Sequence, residues 1–136
     1  MLENPKVNIK VKLSSLWASL IALYIYGDYF DLYTPNKVPN LLDGKSMLDS
    51  PTRLFLAALM LAVPSLMIAL SVLLKPKLNR VLNLIFGVFL TLVVILVGST
   101  SISAWHSFYV FYAILEALVT LLIVYLAWNW PKEKHS

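Results

Sequence analysis

Apolar residues fall into four long runs along the chain, separated by short polar stretches. A bilayer core of about 30 Å takes roughly 20 apolar residues at helical rise, so each run has the length of a transmembrane helix. The spans are placed at about residues 13–33, 54–74, 79–98 and 104–130. The first is free of charge only from Leu13 to Gly27, and the second carries no charge at all. The third is the shortest, with its uncharged stretch opening at Val81. The fourth is interrupted only by Glu116.

Punctuation residues agree with these limits. Ser50-Pro51 reads as an N-cap with proline in the first turn of the second helix. Pro76 separates the second span from the third, and Pro131 stops the fourth. Gly98 followed by Ser99-Thr100-Ser101 reads as a C-cap and a tight turn. The expected architecture is therefore all-α: a single domain over residues 1–136, built as an integral membrane four-helix bundle. The only sizeable extramembrane piece is the loop 34–53. There Leu41, Leu42, Met47 and Leu48 predict a stretch lying on the membrane surface, broken by Pro39 and Gly44.

The first run also invites comparison with a secretory signal peptide, since Lys10 and Lys12 precede it. The residues that follow, Tyr26-Gly27-Asp28-Tyr29-Phe30, are bulky where a cleavage site requires small side chains. A retained helix is the expectation.

Composition strengthens the membrane reading: 60% of residues are hydrophobic and 13% charged, against about 45–50% and about 25% in soluble domains. The net charge of +4 comes from lysines and arginines placed between the apolar runs. No basic stripe runs along one element, so nucleic acid is not an expected partner. With no cysteine, disulfides, thiolate metal sites and thiol redox chemistry are excluded.

The same charges predict an orientation. Lys6, Lys10 and Lys12 precede the first span, Lys75, Lys77 and Arg80 join the second to the third, and Lys132 and Lys134 follow the fourth. Lys37, Lys45 and Arg53 in the first loop are offset by Asp43 and Asp49. Positive-inside bias thus puts both termini and the middle turn in the cytoplasm. Tyr29, Tyr33, Trp105 and Tyr109 crowd the outer edge, and Trp128 and Trp130 mark the inner one.

Polar residues inside the spans carry the chemical information, because a carboxylate at mid-membrane costs about 2.5–3.5 kcal/mol to insert and normally faces the bundle interior. Glu116 lies about 18 Å below the outer boundary by helical rise. It falls on one helical face with His106, Tyr109, Ala113 and Thr120, while Ile114, Leu118, Leu121 and Leu122 occupy the opposite face. The first helix carries a comparable stripe of Trp17, Tyr24, Asp28 and Asp31. Matching depths across the bundle predicts a central layer of Glu116, Tyr24, Asp28, Ser65 and Thr91. This layer is the candidate site for a proton or a ligand. The second and third helices then read as scaffold.

Two readings of that layer stay open. In one, Glu116 is a protonated hydrogen-bonding residue that holds helices together, a role worth about 0.6 kcal/mol per bond on average. In the other, it exchanges a proton or pairs with a cation in a polar cavity lined by aromatics. Nearer the outer edge, Asp31, Arg53 and His106 form a candidate polar cluster. The plainer alternative is that Arg53 marks the membrane boundary and pairs with an aspartate. His106 is the one histidine inside a span, His135 lying in the tail, so bis-histidine haem ligation within one chain is not expected. No local ligand spacing supports a metal, and neither a cofactor nor a catalytic residue is expected. Pro64 in mid-span predicts a kink that frees a carbonyl. Ala57, Ala58, Ala62, Ser65, Ala69 and Ser71 allow another helix to approach closely.

The run Tyr24-Ile25-Tyr26-Gly27-Asp28-Tyr29-Phe30, the stretch Pro64-Ser65-Leu66-Met67 and the pattern Trp105, Phe108-Tyr109, Glu116 resemble a family of small bacterial four-span membrane proteins of unknown function. The likeness covers about Lys10 to Pro131. It implies a bacterial cytoplasmic membrane and a four-helix bundle, and transfers no activity to any residue. The architecture is more loosely similar to DoxX-like proteins. Small multidrug transporters also carry one membrane-embedded glutamate, but theirs lies in the first helix and this one in the fourth.

The leading expectation is a small protein that binds or transports a proton, a cation or an amphipathic small molecule between the first and fourth helices. The alternative is a structural or accessory subunit whose polar layer fixes helix register in an oligomer or complex. Apolar faces on the second and third helices leave room for a homo-oligomer, although the lipid bilayer satisfies them equally. An intramembrane enzyme has no nucleophile, metal set or cofactor motif behind it.

Overall fold

The computed structural model describes residues 1–132. Lys134 and His135 lie outside the described residues. Five helices follow in order: α1 (Ile9–Asp31), α2 (Lys37–Leu42), α3 (Pro51–Leu73), α4 (Pro76–Thr100) and α5 (Ser107–Trp128). No strand occurs among the described residues. All but α2 are long and apolar enough to cross a membrane.

Each boundary has a local cause. The Asn8 side chain accepts the Lys10 backbone N–H at 2.8 Å, starting α1 a turn before the apolar run and placing Lys10 and Lys12 inside the helix. Ser50 caps α3 by accepting the Arg53 N–H at 3.1 Å, with Pro51 in the first turn as expected. Pro76 opens α4 rather than merely separating two spans, because its fixed φ suits a first helical position. Gly98 does not end that helix: α4 continues through Thr100. Pro39 likewise sits within the first turn of α2, where its missing N–H costs nothing, and it is Gly44, at φ 72°, that turns the chain after the helix. Helix α5 closes at Trp128, before Pro131 is reached.

The four long helices alternate in direction. Helix α1 packs on α3 and α5, and α4 packs on α5, while α3 and α4 barely touch although a two-residue turn joins them. One end of the bundle carries the α3–α4 turn and is called the hairpin end. The other carries α2 and the α4–α5 turn and is called the loop end.

Burial is concentrated toward the hairpin end, where Leu13, Trp17, Leu20, Met67, Leu90 and Ile123 form the core. Around it, Leu66, Val88, Leu92, Ile95, Leu118 and Leu121 point outward and exposed. An aqueous protein rarely shows so continuous an apolar surface, whereas lipid requires it. The chain is a multi-pass, all-helical membrane bundle.

Candidate functional site

Helix α5 sets one wall of the interior. Tyr109, Ala113, Glu116, Thr120, Ile123 and Ala127 follow one another at helical spacing, and Ala113, Thr120, Ile123 and Ala127 are buried. Ile114, Leu118, Leu121 and Leu122 are exposed on the far side, as periodicity predicts. Glu116 therefore faces inward, yet it is only half-buried between two buried neighbours of its own line. The interior is open at its level.

Helix α3 explains the opening. Arg53, Ala57, Met60, Pro64, Met67 and Ser71 recur every three or four residues and form its inner line. Ser71 and Met67 are 0% and 1% exposed, but Met60 on the same line is 43% exposed. Burial is thus lost just past Pro64, and the loop-end half of α3 departs from the buried pattern of its other half. Pro64 supplies the cause, since it has no N–H for the Met60 carbonyl.

Asp28 lies on the α1 flank that this departure uncovers. It follows Ser14 and Ile21 at seven-residue spacing, and the Ser14 hydroxyl donates to the Ile68 carbonyl of α3 at 2.8 Å. That flank is covered by α3 near the hairpin end and bare at Asp28. Glu116 lies within electrostatic reach of Asp28 and Tyr24, and Tyr109 within reach of both carboxylates. Among the described residues no hydrogen bond or ion pair reaches either carboxylate.

Of the five residues expected in the central layer, the structure gathers Glu116, Asp28 and Tyr24. Ser65 is not part of it: the side chain is exposed and donates back to the Leu61 carbonyl of its own helix at 3.0 Å. Position 65 lies beside the inner line of α3, and a serine facing lipid satisfies itself locally. Thr91 is buried, but it sits a turn away from Glu116 and is committed elsewhere. Its hydroxyl donates to the Thr120 hydroxyl at 2.8 Å, and that in turn donates to the Ala117 carbonyl at 3.1 Å.

At the loop end, Asp31 takes Lys37 at 2.9 Å and His106 at 3.4 Å. Arg53 does not join them, because Asp49, one helical turn earlier, holds it at 3.1 Å on the surface. A shallow aromatic groove of about 340 Å³ lies beside this cluster on the α1–α5 seam, lined by Phe30, Tyr33, Trp105, Phe108 and Tyr112. Neither Asp28 nor Glu116 lines it.

The hairpin end holds a polar network that the sequence reading passed over. Trp17 Nε1 donates to Asn83 Oδ1 at 2.7 Å across the bundle, and Asn83 Nδ2 donates to Asn79 Oδ1 at 2.7 Å. Asn79 Nδ2 donates to the Ser71 carbonyl at 2.7 Å. Arg80 donates to the Ala127 and Trp128 carbonyls at 3.0 and 3.1 Å, closing the end of α5, and stacks over the Trp128 ring. Helix α4 is therefore not plain scaffold. Two asparagines four residues apart just inside an apolar run were the available signal.

No group of three or more potential metal ligands occurs among the described residues. What the loop-end half offers is an acidic, aromatic interior open to the surrounding lipid. An unpartnered carboxylate there calls for a proton or a cation.

No curated protein and no solved structure matches this chain, and the looser DoxX-like likeness gains no support. A family profile does match it, over residues 3–136. The chain belongs to the family of unknown function DUF6326.

Proposed function

We propose that this protein binds a cation at Glu116 and Asp28, in the loop-end half of the bundle. The cation is a proton or the charged head of an amphipathic small molecule. One observation carries the reading: Glu116 stands on the buried face of α5, between buried Ala113 and Thr120, yet remains half-open and unpartnered. A residue retained only as helix glue would have found an acceptor or donor on α1 or α4, as Thr120 does with Thr91. Tyr24 and Tyr109 supply hydroxyls and ring faces suited to a cation. The setting is the bacterial inner membrane with both termini cytoplasmic, supported by the excess of lysine and arginine at the hairpin end.

The test uses purified protein in lipid nanodiscs, wild type against Glu116→Gln. Tetraphenylphosphonium binding is followed by calorimetry and proton uptake by an indicator dye. The substitution is expected to weaken tetraphenylphosphonium binding about tenfold or more, as removal of a charge partner in an apolar site does. The melting temperature should stay close to that of wild type. Wild-type binding should also weaken as pH falls, since protonating the carboxylates removes the charge that holds the cation. Equal binding and equal proton uptake in the two proteins would overturn the reading.

A second reading, a structural or accessory subunit, is favoured by the hairpin-end network. Trp17, Asn79 and Asn83 are fully buried and mutually bonded, which suits register fixation. A homo-oligomer is compatible with either reading.

A further inference from the structure

We propose that the loop-end half of α3 is a gate hinged at Pro64, and that Arg53 is its latch, swinging inward to pair with Asp28 when no cation is bound. This rests on the cation-site reading above.

Register comes first. The Ser14–Ile68 hydrogen bond fixes α1 against α3. Counting from it toward the loop end, Asp28 lies about 21 Å along α1 and Arg53 about 22 Å back along α3. The two residues stand at one height. They also share a direction: Asp28 follows Ser14 on the flank that faces α3, and Arg53 continues the inner line of Ala57, Pro64 and Ser71.

The hinge is built into the same helix. Pro64 leaves the Met60 carbonyl without its helical donor, and Ser65 donates to the neighbouring Leu61 carbonyl at 3.0 Å. Both loosen the backbone at one turn. Beyond it, Leu54, Phe55, Leu56 and Leu59 are exposed, so little packing holds the segment outward. The partner that does hold Arg53 is weak. Asp49 pairs with it at 3.1 Å with the two side chains 62% and 44% exposed, and such surface pairs contribute little.

Closure would replace that surface pair by one facing Glu116 and Asp28, adding the arginine's charge to that of Lys37, which lies within electrostatic reach of Asp28 but is held by Asp31 at 2.9 Å. A bound cation neutralises the same groups and removes the attraction. Arginine and ligand therefore compete, and the gate stands open when the site is filled. The Ala57 side chain is small enough for α3 to seat against α1 at this level.

The chain has no cysteine, so a reporter pair can be placed without background. Ile25→Cys and Ala57→Cys sit at matching heights on the facing flanks of α1 and α3. In nanodiscs without ligand, the pair should form a disulfide with copper-phenanthroline. Saturating tetraphenylphosphonium should slow its formation about fivefold or more, and so should Arg53→Gln added to the ligand-free pair. Exchanging the charges, Asp28→Arg with Arg53→Asp, should restore ligand-free crosslinking. Crosslinking that is absent, or equally fast with and without Arg53, would overturn the gate. The Arg53 comparison needs no ligand, so it can succeed or fail independently of the cation-site reading.

Discussion

Asn83 accepts the Trp17 indole N–H across the bundle, and both side chains are fully buried. Asn83→Leu keeps the size of the side chain but leaves the indole donor unpaired. We expect a loss of about 1–3 kcal/mol, the cost of a buried unsatisfied donor, read as a lower midpoint in a detergent-denaturation titration. Glu116→Gln, by contrast, should barely move that midpoint, because nothing among the described residues bonds to the carboxylate. Residue-level legibility divided along the same line. The inward face of Glu116 was readable from the helical spacing of Tyr109, Ala113 and Thr120. The asparagines were not recognised because they stand beside Lys77 and Arg80 and read as the polar edge of a span. Arg80 counted as a topological charge, and the carbonyls of α5 that it closes lie 47 and 48 residues away. Ser65 stays out of the expected layer because it finds its partner within its own helix, a competition that depth matching does not see; Arg53 pairs with an aspartate just before α3, as the plainer alternative has it.

Helix α4 lies close against α5 because two glycines face that contact. A Cβ at Gly98 would stand 2.9 Å from the Ala113 Cβ, and one at Gly87 would stand 2.8 Å from a Val124 methyl. The Val124 methyl can rotate away, whereas the Ala113 Cβ is fixed to the α5 backbone. Gly98→Ala must therefore push the helices apart, and we expect it to cost about 1–3 kcal/mol, as overpacking does. Gly87→Ala should cost less, as measured by melting in the same detergent. At this scale the sequence was most informative: the four long apolar helices that it leads one to expect are present and pack together. Errors gathered at glycine and proline. Gly98 reads as a terminator in isolation, but its missing side chain admits a neighbouring helix, and no local pattern separates those uses.

The whole molecule sits in the membrane by composition and by its exposed apolar surface, while its direction rests on charge bias alone. The cysteine-free background makes that testable. With Lys45→Cys and Lys77→Cys expressed separately, a membrane-impermeant maleimide added to intact cells should label the first and spare the second until the cells are opened. Labelling in the reverse pattern would invert the orientation. The overall packing was not legible in advance, because which helices touch depends on where α3 loses its burial past Pro64 and on the two glycines of α4. The consecutive pair α3 and α4 shares almost no interface, while each is well packed against a helix that is not its neighbour in that hairpin. During synthesis, then, α3 can settle as soon as α1 is in place, but α4, tied to α1 and α3 mainly through Asn83 and Asn79, lacks its chief packing partner until α5 emerges from the ribosome. The protein matures as two successive antiparallel couples, and the second stays incomplete until α5 is inserted.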